Sequence, residues 1–422
     1  MFENLIGQPA AGLLAEDIAS KRLPPSILFS GPSASGKLTC AIELARVLSC
    51  EKGGSWTCTC ASCLRHKELA HPDLLIAGPK DSILEIRAAS AAFIANRTPA
   101  TRYLFLRSVR KLSLRFHPSL TDRDDAKFAK AVPLLADLEE RLEELSPSRP
   151  LPEDGAELEK SVKGVVGIAE KLESDCLWDS MPVAQVRNAA AWSRLSPSGR
   201  TKVLVVEGAD RMQESARNAF LKVLEEPPAN AVFILTTSRR GAIMPTILSR
   251  VRTYAFIERD SNSVAEVVSR VFRADPAGID NLTNFFYRFL PVPPDAITAA
   301  AALFVDLVLK QSIDSGRRPL PGLRGAVSTV LSESDAGAEL GIPQIVSMLN
   351  KCKPGIVWHL FLSSVAGFMR KALASGGADA RETAIFARWT VSIRKALDSV
   401  DIYNINPVSA LEMLSLEMRE AC

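Results

Sequence analysis

"PPSILFSGPSASGKLTCAIELARVLSC", residues 24–50, decides the fold of the first half of the chain. Two prolines precede the apolar run Ile27–Phe29, a Gly/Ser-rich turn follows, and apolar residues then recur at helical spacing. Strand, loop and helix in this order predict a phosphate-binding loop. Successive backbone N–H groups and a helix N-terminus surround an anion there, and a lysine reaches its outer oxygens. Gly31, Gly36 and Lys37 supply the G-x-x-x-x-G-K pattern. The next residue should be Ser or Thr, whose hydroxyl ligates Mg²⁺. Leu38 stands there instead. Thr39 comes one place late, with its side chain turned by about 100° around the helix.

Further strands are expected in "PDLLIAG" (72–78), "TKVLVVEGADRM" (201–212) and "AVFILTTS" (231–238), with "QESARNAFLKVLEEPP" as a helix stopped by Pro227 and Pro228. Strands alternating with helices predict a mostly parallel sheet covered on both faces. Hydrolytic relatives of such loops end the second acidic strand in Asp-Glu, one residue holding Mg²⁺ and the other polarising water. Glu207-Gly208 occupies that place, so the pair has no base. Asp210 is expected to cap the following helix. The nucleotide site therefore comprises Gly31, Gly36, Lys37, Thr39, Glu207 and Thr237 in degenerate form, open to ATP and Mg²⁺ but not hydrolysing it.

From about residue 82 to 181 the alternation breaks. "DAKFAKAVPLLADLEERLEELS" and "AELEKSVKGVVGIAEKLESD" are amphipathic patterns joined by "PSRPLP", a helical hairpin inserted into the α/β domain. Before it, "RYLFLRSVRKLSLRF" (102–116) is basic with interleaved aromatics. Two readings compete for it, a nucleic-acid surface and a helix with a solvated basic face, and the second is preferred. After about residue 258 helical periodicity dominates.

A net charge of +3, 47% hydrophobic and 23% charged residues fit an ordinary folded chain of 422 residues, so any nucleic-acid contact must come from local basic surface or partner chains. No secretory signal is read in "MFENLIGQPA", and "AITAAAALFVDLVL" (296–309), interrupted by Asp306, is too short to span a bilayer. A cytoplasmic protein is expected. Four of eight cysteines, Cys50, Cys58, Cys60 and Cys63, crowd into one short stretch. Four thiolates suit a closed tetrahedral Zn²⁺ site that fixes a loop with little core of its own. His66 and His71 are alternative ligands, read by preference as surface or helix-capping residues.

"LIGQ" (5–8), "ILFSGPSASGK", the cysteine cluster with "HPD" (71–73), "ARNAFLKVLEEPP" (216–228) and "PTILSR" (245–250) together resemble bacterial DNA polymerase III clamp-loader subunits, gamma/tau and delta-prime. The resemblance covers roughly residues 1–80 and 182–257. It implies an AAA+ core over 1–257, within which fall the zinc module at 50–63 and the helical insertion at about 82–181 read above, then a helical lid (258–320) and a helical collar (321–422). It also implies a pentamer that opens sliding clamps with ATP, with gamma/tau as motor and delta-prime as a stator whose nucleotide site is eroded. Leu38 and Gly208 favour the stator. Implied partners are the gamma/tau and delta subunits and, through the complex, the sliding clamp and primed DNA. Arg250 matches the family's arginine finger, which reaches a neighbour's ATP. Three features depart from the pattern, the first being Val251 where the family has Cys after Ser249-Arg250. The last three cysteines run C-x-C-x-x-C instead of C-x-x-C-x-x-C, and the long insertion is unusual. An active gamma/tau-type ATPase is the second reading. A stand-alone P-loop kinase is the third, to which "LEEPP" and "TILSR" are foreign.

Overall fold

The computed structural model describes residues 1–79, 82–122, 124–333, 345–346, 354–376, 378–401, 403 and 405–422. They form two compact units, Met1–Phe286 and Tyr287–Cys422. The expected boundary at 257/258 lies inside the first unit.

The first unit is built on a parallel sheet of β1 (Ser26–Ser30), β2 (Leu74–Ala77), β3 (Lys202–Val206), β4 (Ala231–Thr237) and β5 (Arg252–Ala255), in the order β2-β3-β4-β1-β5. β1 to β3 are buried at every position, as a parallel sheet covered on both faces requires. Alternate residues point to opposite faces. Ile27, Phe29, Ile76, Val203 and Val205 pack with α1 (Ala10–Ala19) and α2 (Lys37–Ser49). Leu28, Leu75, Leu204, Val206 and Phe233 face the other way. They pack with Trp192 of α8 (Val183–Ser193) and Phe220 of α9 (Glu214–Glu225).

β4 separates β1 from β3, so the carboxyl ends of all three lie side by side, with Ser30 opposite Thr237. Ligands of parallel sheets bind in the crevice outside these ends. β5 was not expected from the sequence. Only Tyr254 of its four residues is buried, and it is held at the sheet edge by pairing with β1.

Between β2 and β3 run α4 (Ile83–Asn96), α5 (Pro99–Ser113), α6 (Ala126–Glu144) and α7 (Gly155–Lys171). They enclose a core of their own that includes Phe93, Phe105, Leu138, Val162 and Leu172. Thr98 and Thr101 form a reciprocal cap at the start of α5, and Asp125 caps α6. α6 runs through Pro133. α3 (Ala61–Lys67) belongs to the cysteine module.

The second unit is helical. The helices Pro294–Asp314, Pro321–Glu333, Pro354–Ala374, Ala380–Asp401 and Pro407–Ala421 surround the fully buried Trp358 and Trp389. Each indole N–H finds a carbonyl, Ala396 O at 3.2 Å and Met418 O at 2.9 Å. The first of these helices, Pro294–Asp314, corrects an expectation. At 21 residues it is long and apolar enough to cross a bilayer, and not too short as its apolar stretch suggested. Its Ala300, Phe304, Val305 and Val308 instead pack into the core of this unit.

Candidate functional site

The loop between β1 and α2 has the shape its glycines predict. Gly36 caps α2 in the left-handed region at φ 91°. A Cβ on Gly31 would come within 2.3 Å of Phe256 O, because β5 runs directly behind the loop. Lys37 Nζ donates to Gly31 O at 2.8 Å, to Pro32 O and to Ser35 Oγ at 3.3 Å. Burial lowers its pKa to about 8, against the pull of Glu207, Asp210 and Glu258. Arg259 presses on the loop from the other side, Nη1 donating to Ala34 O at 2.8 Å and Nε to Ile6 O at 2.9 Å. Gln8 of the "LIGQ" segment joins the same wall through paired bonds with the backbone of Ile257, 2.9 and 3.0 Å.

Leu38 packs against the apolar cluster between α2 and the sheet, as an apolar residue must, and Thr39 is half-buried beside it on α2. Glu207 follows β3 directly. Its carboxylate is taken by Arg115, whose Nη2 donates to Oε2 at 2.5 Å while Nη1 holds Pro79 O. Gly208 lies in the left-handed region at φ 60°, so a residue with a side chain there would strain the turn. Asp210 does not cap the following helix, contrary to expectation. That helix, α9, begins after Gln213 with no side-chain cap. Asp210 instead accepts from Thr237 Oγ1 at 2.7 Å and Arg239 Nε at 3.0 Å. A contact between the ends of β3 and β4 outcompetes the local one. Gly31, Gly36, Lys37, Glu207 and Thr237 are thus gathered at one end of the sheet.

Arg250 lies elsewhere on this unit, exposed just after α10 (Pro245–Leu248). It donates to Thr246 O at 2.8 Å and to Glu225 Oε1 at 2.8 Å.

The four cysteine sulfurs lie within 4.8 Å of one another, and all four residues are buried. Tetrahedral zinc, with bonds of about 2.3 Å, places sulfurs roughly 3.8 Å apart, so the donor set fits that ion. Burial would raise the thiols of Cys50 and Cys60. Backbone N–H groups of Lys52 and Gly54 at Cys50, and of Glu51 and Cys63 at Cys60, outweigh it, leaving Cys60 at about 6. Cys63 is pushed up to about 12 by burial, with Arg46 opposing. The buried Arg46 organises the module. It pairs with Glu43 at 2.6 Å and donates to Cys63 Sγ at 3.1 Å, Ser55 O at 2.9 Å and Gly54 O at 2.7 Å. Trp56 lies between Arg46 and Lys67, 5.5 and 5.2 Å from the ring centre.

The histidines are neither surface nor capping residues. His66 and His71 are 1% and 6% exposed and stack at 4.0 Å. His71 accepts from Asp73 N and meets Ser62 Oγ, both at 3.1 Å. Both ring nitrogens of His66 are buried without a hydrogen-bond partner. Asp73 of "HPD" is a structural clasp, accepting from Ser198 N at 2.9 Å and Gly199 N at 2.7 Å.

The basic stretch 102–116 is less solvated than expected, with Arg107 and Arg110 half-buried and Arg102, Lys111 and Arg115 buried. Arg102 donates to the carbonyls of Leu145, Ser146 and Arg149 at the end of α6. Arg107 and Arg110 donate to those of His66, Lys67 and Glu68 at the end of α3. Lys111 pairs with Glu85 at 2.5 Å, and Arg115 turns inward to Glu207. The cations are spent on helix ends and carboxylates, where they complement the negative C-terminal dipole.

The family described as "DNA polymerase III, delta subunit" matches residues 7–113 and 155–260. The unmatched segment, 114–154, carries Arg115 and α6 and is narrower than the insertion expected at 82–181. The DNA polymerase III subunit tau of Bacillus subtilis is 28% identical over 121 residues, 28% of this chain and 21% of that protein. The DNA polymerase III subunit delta' of Haemophilus influenzae is 43% identical over 53 residues, 13% of this chain and 16% of that protein. The chain thus matches about a fifth or less of the length of these relatives. A crystal structure of a DNA polymerase III gamma subunit-related protein from Thermotoga maritima aligns with TM-score 0.30 and 20% identity, over 57% of this chain and 80% of that one.

Proposed function

The chain belongs to the DNA polymerase III, delta subunit family of clamp-loader proteins and is delta-prime-like, and from that premise we propose that it is a non-hydrolysing stator of the clamp loader. On this reading residues 1–257 are an AAA+ module, residues 258–320 act as lid and 321–422 as collar. The chain works in the cytoplasm beside gamma/tau and delta subunits, and meets the sliding clamp and primed DNA through the complex. The cysteine module holds one structural Zn²⁺.

The observation that carries the proposal is the state of the acidic strand end. Glu207 is tied to Arg115, and Gly208 sits in a left-handed turn with no side chain to act as a base. Leu38 removes the hydroxyl that would ligate Mg²⁺. A site without metal ligand and base loses orders of magnitude in rate. Nucleotide binding survives this loss, because the loop N–H groups and Lys37 remain. Arg250, exposed at the surface, supplies the arginine finger to a neighbour's ATP.

ATPase measured on the purified chain, alone and with its partner subunits, tests the proposal. The chain alone should give no turnover above background. Turnover that Lys37→Ala abolishes would overturn the stator reading and make the chain a gamma/tau-type motor.

A further inference from the structure

We propose that Arg115 excludes divalent metal from the nucleotide site, standing beside Glu207 where the cation would, so that the loop takes a nucleoside polyphosphate without Mg²⁺. This deepens the reading of a site that has lost turnover and rests on it.

Arg115 does not come from the sheet. It sits in the short turn Leu114–Phe116 that follows α5, in the segment outside the family match. The side chain is 2% exposed and is anchored twice, to Pro79 O beyond the end of β2 and to Glu207 Oε2 beyond the end of β3. For a cation to reach the Glu207 carboxylate, the guanidinium must give up its counter-charge while staying out of water, which is the costly fate of a buried ion. The other carboxylate near Lys37 at these strand ends, Asp210, is held by Thr237 and Arg239. Neither Leu38 nor Gly208 offers a ligand.

The positive charge a polyphosphate needs is still present without metal. Lys37 is in the loop, Arg259 lies against Ala34 and Gly36, and the N-terminus of α2 faces the same space. Glu258 is the acidic neighbour that opposes them. Arg115 therefore acts by holding Glu207, and it is not a group that reacts.

The test is a titration of the full-length chain with a fluorescent ADP analogue, in excess Mg²⁺ and in EDTA. Wild type should bind equally in both. Arg115→Ala should gain Mg²⁺ dependence, binding at least about tenfold tighter with the metal. Arg115→Lys should behave as wild type, and Arg115→Ala/Glu207→Gln should lose the gained dependence. Arg115→Met keeps the bulk of the side chain if the alanine variant fails to fold. Mg²⁺-dependent binding by wild type would overturn the proposal. So would Arg115 variants that fold and bind without gaining that dependence, or nucleotide binding by neither protein. These readouts use the isolated chain, so a failure in complex assembly or in trans-ATPase leaves them unaffected.

Discussion

Arg250 Nη2 lies 2.8 Å from Glu225 Oε1, joining the turn after α10 to the end of α9, with the two side chains 35% and 49% exposed. A pair so open to water contributes about 0–1 kcal/mol. Arg250→Ala should therefore melt like wild type and still assemble. If Arg250 is the finger, clamp-stimulated ATPase of the reconstituted complex should fall by about 1,000-fold. Unchanged ATPase with normal assembly would leave Arg250 a surface residue.

The cysteine module should hold one zinc per chain by elemental analysis, and Cys63→Ser should lose it. Arg46→Met tests the support behind the metal. It leaves Glu43, 2% exposed, without its partner, and removing one member of a buried pair costs about 3–5 kcal/mol. The variant should melt lower and release zinc faster to a chelator. Glu43→Gln in the same chain should restore part of the loss. A variant as stable as wild type would show that Arg46 is dispensable.

His66 gives the unit an acid limit. Burial, with His71, Arg46 and Arg107 nearby, lowers its pKa to about 3, against about 6.5 in the unfolded chain. The ring is neutral in the fold, so between those values only the unfolded chain takes up the proton. Its contribution is complete above about pH 6.5 and is lost as pH falls, at up to about 1.4 kcal/mol per pH unit. Denaturant unfolding from pH 8 to pH 5 should show this slope, and His66→Phe should flatten it. Parallel slopes in the two proteins would rule His66 out as the source.

Arg107 and Arg110 lie on the most basic stretch of the chain, yet they cap α3. Hydrogen bonds from charged donors contribute about 1.5–3 kcal/mol when enclosed and less at half-exposed positions. Arg107→Ala/Arg110→Ala should destabilise the first unit by about 1–3 kcal/mol and leave DNA affinity within about twofold at fixed salt. A large loss of DNA binding without a loss of stability would return this helix to the nucleic-acid reading.

The sheet and the phosphate loop were legible because their signals are local. Apolar runs bounded by Gly and Pro mark β1 to β4, and the Gly36-Lys37 turn marks the start of α2. What escaped was set by partners far along the chain. β5 buries only Tyr254 and exists through its pairing with β1. Asp210 is placed like a cap, but Thr237 and Arg239 hold it from another strand. The stretch from Arg102 to Arg115 shows its charge in sequence, while the carbonyls and carboxylates that neutralise it belong to α3, the end of α6, Pro79, Glu85 and Glu207. His66 and His71 are polar by type, and their burial comes from stacking on each other beside α2 and Arg107, which local sequence does not show.

β2 and β3 are neighbours, Leu74 opposite Val203, although residues 78–201 lie between them. The start of that segment is fastened to the end of α7 and the region just after it, which leaves only α8 and its flanks, up to residue 201, outside the fastened part. Ser82 N donates to Glu173 Oε2 at 2.7 Å, and Arg87 pairs with Glu170 at 2.5 Å. The consequence is kinetic. Once the helices between have formed, the sheet closes across a short effective loop, and each halving of that loop removes about 0.6 kcal/mol of closure entropy. The insertion, made of contacts closer along the chain, is thus the natural early-folding element, with Ser82–Glu173 as its clasp. Glu173→Gln should slow refolding of the sheet more than it hastens unfolding, and the reverse pattern would place the clasp late on the pathway.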